Sequence, residues 1–107
     1  MTILSAIQEA DLRYPNNLDV PLKVKWLSLL DGQIYKETNQ WQTSVSPFRD
    51  YTETGIQKPL LVPHLYSALY PEYLVMRIAL ELGNTEQYNK HATTFNRLWH
   101  IYLERGK

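Results

Sequence analysis

The chain has no cysteine, so neither a disulfide framework nor a thiolate zinc site is open to it. Its four glycines, Gly32, Gly55, Gly83 and Gly106, are too scattered to build a phosphate-cradling loop. An excess of either charge sign is also missing, with 11 Lys plus Arg against 11 Asp plus Glu. The balance holds locally: residues 1–62 carry 6 basic and 7 acidic side chains, and residues 63–107 carry 5 and 4. Because affinity for phosphates comes chiefly from clustered cations, this distribution argues against a sequence-independent nucleic-acid binder. No apolar run approaches the ~20 residues that span a bilayer. The start, Met1-Thr2-Ile3-Leu4-Ser5, lacks the basic region of a secretory signal. The expectation is a soluble intracellular protein.

What the 107 residues hold in quantity is aromatic surface, with eight Tyr and three Trp. Amphipathic rings serve both cores and partner surfaces. A chain this short buries about two thirds of its unfolded surface, enough for one core and little room for an enclosed active site.

Apolar spacing predicts an all-α domain of four helices over residues 1–107. Ile3, Ile7, Ala10 and Tyr14 mark a helix over about 2–13, with Thr2 or Ser5 as its cap and Tyr14-Pro15-Asn16-Asn17 as its stop. A second helix, about 19–37, starts at Asp19 with Pro21 in its first turn. It places Leu22, Trp26, Leu29, Leu30 and Ile34 on an apolar face opposite Lys25, Ser28 and Lys36. Asp31-Gly32 is its weak point, but the apolar register continues through Ile34.

A third helical stretch, about 64–82, contains Pro71 either as its first residue, after a turn over Tyr66–Tyr70, or as a kink. It is apolar almost all round, apart from Arg77 and Glu81 spaced for a pair, so it should be central to its core or covered by another chain. Gly83 stops it, and Asn84 with Gln87 resembles a capping box for the last helix, about 85–105. There Tyr88, Ala92, Phe95, Trp99 and Tyr102 form a stripe that reads as a core face. Arg97 and Ile101 lie on the charged side, Ile101 as either a lone exposed apolar residue or a partner contact. The short connection implies an antiparallel hairpin with the third helix.

Between the second and third helices, residues 38–62 show no period. A connection of this length is usually functional or mobile. Its aromatics, Trp41, Phe48 and Tyr51, suit an arm that packs on something. The arm has two readings, a folded-back cover completing a satellite core or a segment reaching a neighbouring subunit.

No constellation for chemistry emerges. His91 and His100 are half a turn out of phase on one helix, His64 stands apart, and no HExxH or carboxylate cluster supports a metal. Ser44 and Ser46 sit in a polar loop without a nucleophile elbow. No catalytic residue, metal or cofactor is expected. The candidate residues, Trp41, Phe48, Tyr51, Arg97 and Ile101, are for a protein interface.

Several stretches carry a likeness to a known family: Asp11-Leu12-Arg13-Tyr14-Pro15-Asn16-Asn17, Lys25-Trp26-Leu27-Ser28 with Leu30-Asp31-Gly32 and Ile34-Tyr35, Leu60-Leu61-Val62-Pro63, and Tyr88-Asn89-Lys90 leading to Phe95-Asn96. In order and spacing they resemble the small head-to-tail connector (adaptor) proteins of Gram-positive tailed phages and prophages. The chain departs from that family over Asn39–Gly55, which is richer in Thr and Ser and less acidic. The resemblance implies a virion protein at the head-tail junction, assembled in the bacterial host cytoplasm. It further implies a ring of identical copies beneath the portal, contacts with the portal and with a head-completion or tail protein, and a channel that lets DNA pass without sequence-specific binding. The alternative is a small helical interaction or regulatory module of the host.

Overall fold

The computed structural model describes residues 1–39 and 46–105. Among them are four α-helices: α1 (Ile3–Arg13), α2 (Val20–Thr38), α3 (Leu69–Glu81) and α4 (Thr85–Arg105). Two 3-10 turns, Glu53–Gly55 and His64–Tyr66, lie between α2 and α3. The described residues form no β-strand, only an isolated antiparallel bridge between Thr2 and Pro59. The chain is all-α, as expected.

The helix ends follow local chemistry. Thr2 and Ser5 both serve α1, in a reciprocal capping box: Ser5 N–H donates to Thr2 Oγ1 at 3.0 Å and Thr2 N–H donates to Ser5 Oγ at 2.9 Å. Pro21 occupies the first turn of α2, where no intrahelical N–H is needed. Between α3 and α4, Gly83 takes φ +74°, the left-handed conformation that favours glycine, and Asn84 Oδ1 accepts from Gln87 N–H at 3.2 Å. The helical stretch expected over 64–82 is divided. A 3-10 turn precedes α3, and Pro71 is neither a kink nor the first helical residue but the third, still among the N–H groups that lack partners in any helix.

The core gathers around α3, whose Leu69, Tyr70, Leu74 and Ile78 are fully buried. α3 shares its most extensive contact with α4 and its next with α1. Tyr73 packs on Phe95 with ring centroids 5.3 Å apart, and Phe95 on Trp99 at 6.0 Å. Of the stripe on α4, Phe95 and Tyr102 are buried and the others half-buried or partly covered. Two expectations need correction. Arg77 does not turn to Glu81; its guanidinium lies over the Trp26 ring, 5.2 Å from the centroid. The two sides of α2 also differ from the wheel, because Ser28 is buried and Leu29 is 55% exposed. The reason is tertiary: Asp50 and Tyr51 fold over the Ser28 side and leave Leu29 open.

Residues 46–62 are tied down at several points. Tyr51 N–H donates to Ser28 Oγ at 2.9 Å. Lys58 and Ile56 carbonyls accept from Ile3 and Leu4 N–H at 3.0 and 2.8 Å, satisfying donors that the first turn of α1 cannot pair internally. Leu60 N–H donates to Met1 O at 2.9 Å. Residues 46–62 therefore lie against the chain's own helices.

Candidate functional site

Two polar clusters and one outer surface concentrate the side chains able to do work. The first cluster is enclosed. Asp31, in the middle of α2, is 0% exposed, and both its oxygens are occupied. Tyr70 Oη donates to Oδ1 at 2.6 Å, while Tyr51 Oη and Leu61 N–H donate to Oδ2, the latter at 3.0 Å. Tyr70 Oη in turn accepts from Val62 N–H at 2.9 Å. One carboxylate thus fastens α2, α3 and two points of the covering segment.

Burial holds the Asp31 carboxyl above its usual range, opposed by hydrogen bonds from Tyr51, Tyr70 and Leu61. The same burial, reinforced by the Asp31 charge, pushes both phenols upward, so they remain donors. Fully buried and held by three donors, the group organises its surroundings.

The second cluster bridges three helices at the surface. Glu72, in the first turn of α3, meets His91 Nδ1 of α4 at 2.7 Å through Oε2 and Arg13 Nη1 of α1 at 3.3 Å through Oε1. Arg13 also reaches Glu9 at 2.7 Å. A carboxylate near a helix N-terminus is favoured there by the backbone dipole. This arrangement orients His91, and among the described residues no hydroxyl is hydrogen-bonded to it. Among the described residues, no group of three or more His, Asp or Glu is placed to hold a metal ion.

The outer surface carries the remaining features. Along α2, Pro21, Lys25, Leu29 and Gln33 form a ridge at four-residue spacing between two clefts. One cleft, about 380 Å³, lies between this ridge and Asp50–Glu53. The other, about 270 Å³, is closed by Tyr73, Phe95 and Trp99. Elsewhere Leu65 is 81% exposed, beside Ile101 and Arg105 of α4.

The sequence candidates separate cleanly. Tyr51 is buried in the chain's own core, and Phe48 is half-buried between Tyr35 and Tyr51, with ring centroids 5.8 and 5.4 Å away. In this structure both are therefore internal contacts. Arg97 is exposed and Ile101 half-exposed on the outer side of α4. Trp41 lies outside the described residues. Sequence reasoning missed Asp31, Ser28 and Tyr70. The available signal was a carboxylate embedded in an apolar register, together with tyrosines on the flanking segments.

No helix among the described residues is long and apolar enough to cross a membrane. Set against family models, curated proteins and solved structures, the chain matches none.

Proposed function

We propose that the chain is a non-enzymatic structural subunit that joins head to tail in a tailed phage or prophage, working as one copy in a ring against the portal. The observation that carries this reading is how the domain divides its chemistry. Its buried carboxylate is consumed by internal donors, while Leu12, Leu29, Leu65, Leu80 and Leu82 each stand more than half exposed. Single exposed apolar residues are ordinary. Five leucines on so small a surface suit a part whose outside is finished by other proteins. The likeness of the stretches between Asp11 and Asn96 supplies the kind of assembly, with an α3–α4 hairpin as its scaffold and a head-completion or tail protein on the far side.

The test is mass in solution, alone and with the portal protein of the same genome. A complex of several copies with the portal is expected. A monomer that associates with neither itself nor the portal overturns the reading, as does a gene lying away from portal, capsid and tail genes.

One observation favours the second reading, a host interaction module. Residues 46–62 fold onto their own domain instead of projecting, which is what a self-contained module requires. A stable complex with a single host protein, and none with the portal, would establish it.

A further inference from the structure

We infer that copies of this chain join head to tail, the outer ridge of α4 on one copy entering the cleft beside α2 on the next. This inference rests on the ring reading above and assigns its contact surfaces.

The first surface has the form that receives a helix. A row of side chains four apart on a helix makes a ridge, and helices pack by laying one ridge into the groove beside another. Pro21, Lys25, Leu29 and Gln33 form such a ridge, with the larger groove on the side of Asp50 and Glu53. Its apolar lining comes from Val24 and the flank of Leu29, and its charges are two acids and one base, Asp50, Glu53 and Lys25. Neither acid has an ion-pair partner among the described residues.

The second surface is the complement. Arg97, Ile101 and Arg105 recur every four residues on α4 and span about 12 Å at ~1.5 Å rise per residue. This row carries an apolar residue between two cations, with exposed Leu65 beside it. With Glu104 counted, the charges are two bases and one acid, the inverse of the cleft. Arg97 and Arg105 are likewise without ion-pair partners among the described residues.

The two surfaces cannot satisfy each other within one chain. Trp99 lines the cleft against α2, and at ~100° per residue Arg97, Ile101 and Arg105 fall about 120–160° from it around α4. The ridge therefore points away from α2. Different patches that face away from one another make a heterologous contact, which propagates from copy to copy and closes where the rotation allows. Charge complementarity sets the register, with Arg97 and Arg105 against Asp50 and Glu53, and Ile101 against Leu29.

Because the chain lacks cysteine, disulfide trapping gives a clean test in the full-length protein. Under mild oxidation the double variant Leu29→Cys/Ile101→Cys should form a ladder of linked copies, while each single variant stays unlinked alone and forms only dimers when the two are mixed. Reversing Arg97→Glu and Arg105→Glu together should slow linking about tenfold, and adding Asp50→Arg and Glu53→Arg should restore it. Dimers from either single variant by itself would show a two-fold contact and overturn the inference. Absence of cross-links in a protein whose native mass shows assembly overturns these surfaces and leaves the ring standing. A monomer that neither cross-links nor associates with the portal overturns both.

Discussion

Tyr70 and Asp31, 39 positions apart in the chain, are joined by a 2.6 Å hydrogen bond from phenol to carboxylate, with neither residue exposed to solvent. Tyr70 also accepts from Val62 N–H, whereas Tyr51 gives Asp31 a single bond with its hydroxyl and, among the described residues, takes none back. Removing the two hydroxyls should therefore differ in cost. A hydrogen bond to a charged group contributes about 1.5–3 kcal/mol, and a buried donor left unpaired costs about 1–3 kcal/mol. Tyr51→Phe is expected to destabilise by about 2 kcal/mol and Tyr70→Phe by about 3–4 kcal/mol. Asp31→Ala, which strands three donors, should exceed both. Urea denaturation measures all three, and equal losses for the two tyrosines would contradict the shared role of Tyr70.

The same carboxylate sets a pH dependence whose sign is fixed. Burial raises Asp31 above its ordinary 3.8 in the folded state. On acidification the folded chain therefore takes up this proton before the unfolded chain does. Its contribution is fully present below the unfolded value and is lost as pH rises through the folded one. The stability of wild type relative to Asp31→Asn should increase between pH 7 and pH 4, read from paired denaturation curves. Other carboxylates titrate alike in both proteins and cancel. A relative stability that falls on acidification would mean that the three donors outweigh desolvation.

These two predictions concern what was least legible in the sequence. Most helix ends were readable, the start of α3 excepted, because caps, prolines and Gly83 act within a few residues of where they stand, and because α4 repeats one apolar stripe. The partners of Asp31 lie 20, 30 and 39 positions away, and no local pattern marks them. The apolar register carries the helix across Asp31-Gly32, but it gives no sign of what a carboxylate in that register binds. Ser28 was misplaced for the same reason, since it is buried by Asp50 and Tyr51 and not by its own helix. Among the candidate surface residues, Arg97 and Ile101 were legible because helical period alone places them outward. Whether Phe48 and Tyr51 turn inward or outward depended on contacts with α2 that spacing does not encode.

Gly83 offers a prediction free of packing effects. Its φ of +74° is unfavourable for any side chain with a Cβ, while a Cβ built there meets nothing within 4 Å. Gly83→Ala should therefore cost only the left-handed backbone term, about 1–2 kcal/mol. For a domain of this size that lowers Tm by about 4–8 °C per kcal/mol, measurable by circular dichroism. A neutral result would mean that the α3–α4 connection relaxes to another conformation.

Gly32 should behave in the opposite way. It sits inside α2 with ordinary helical backbone, and a Cβ added there would stand 3.5 Å from Phe48 Cδ2 and 3.6 Å from Cε2, normal van der Waals distances. Glycine in a helix interior costs about 0.8–1 kcal/mol relative to alanine through its greater freedom in the unfolded chain. Gly32→Ala is thus expected to raise stability by about 0.5–1 kcal/mol, with a small added gain from contact with the Phe48 ring. Denaturant midpoints would register it as a shift at unchanged slope. Destabilisation would show that the Phe48 ring lies closer to α2 than these distances allow, and that the glycine is there to admit it.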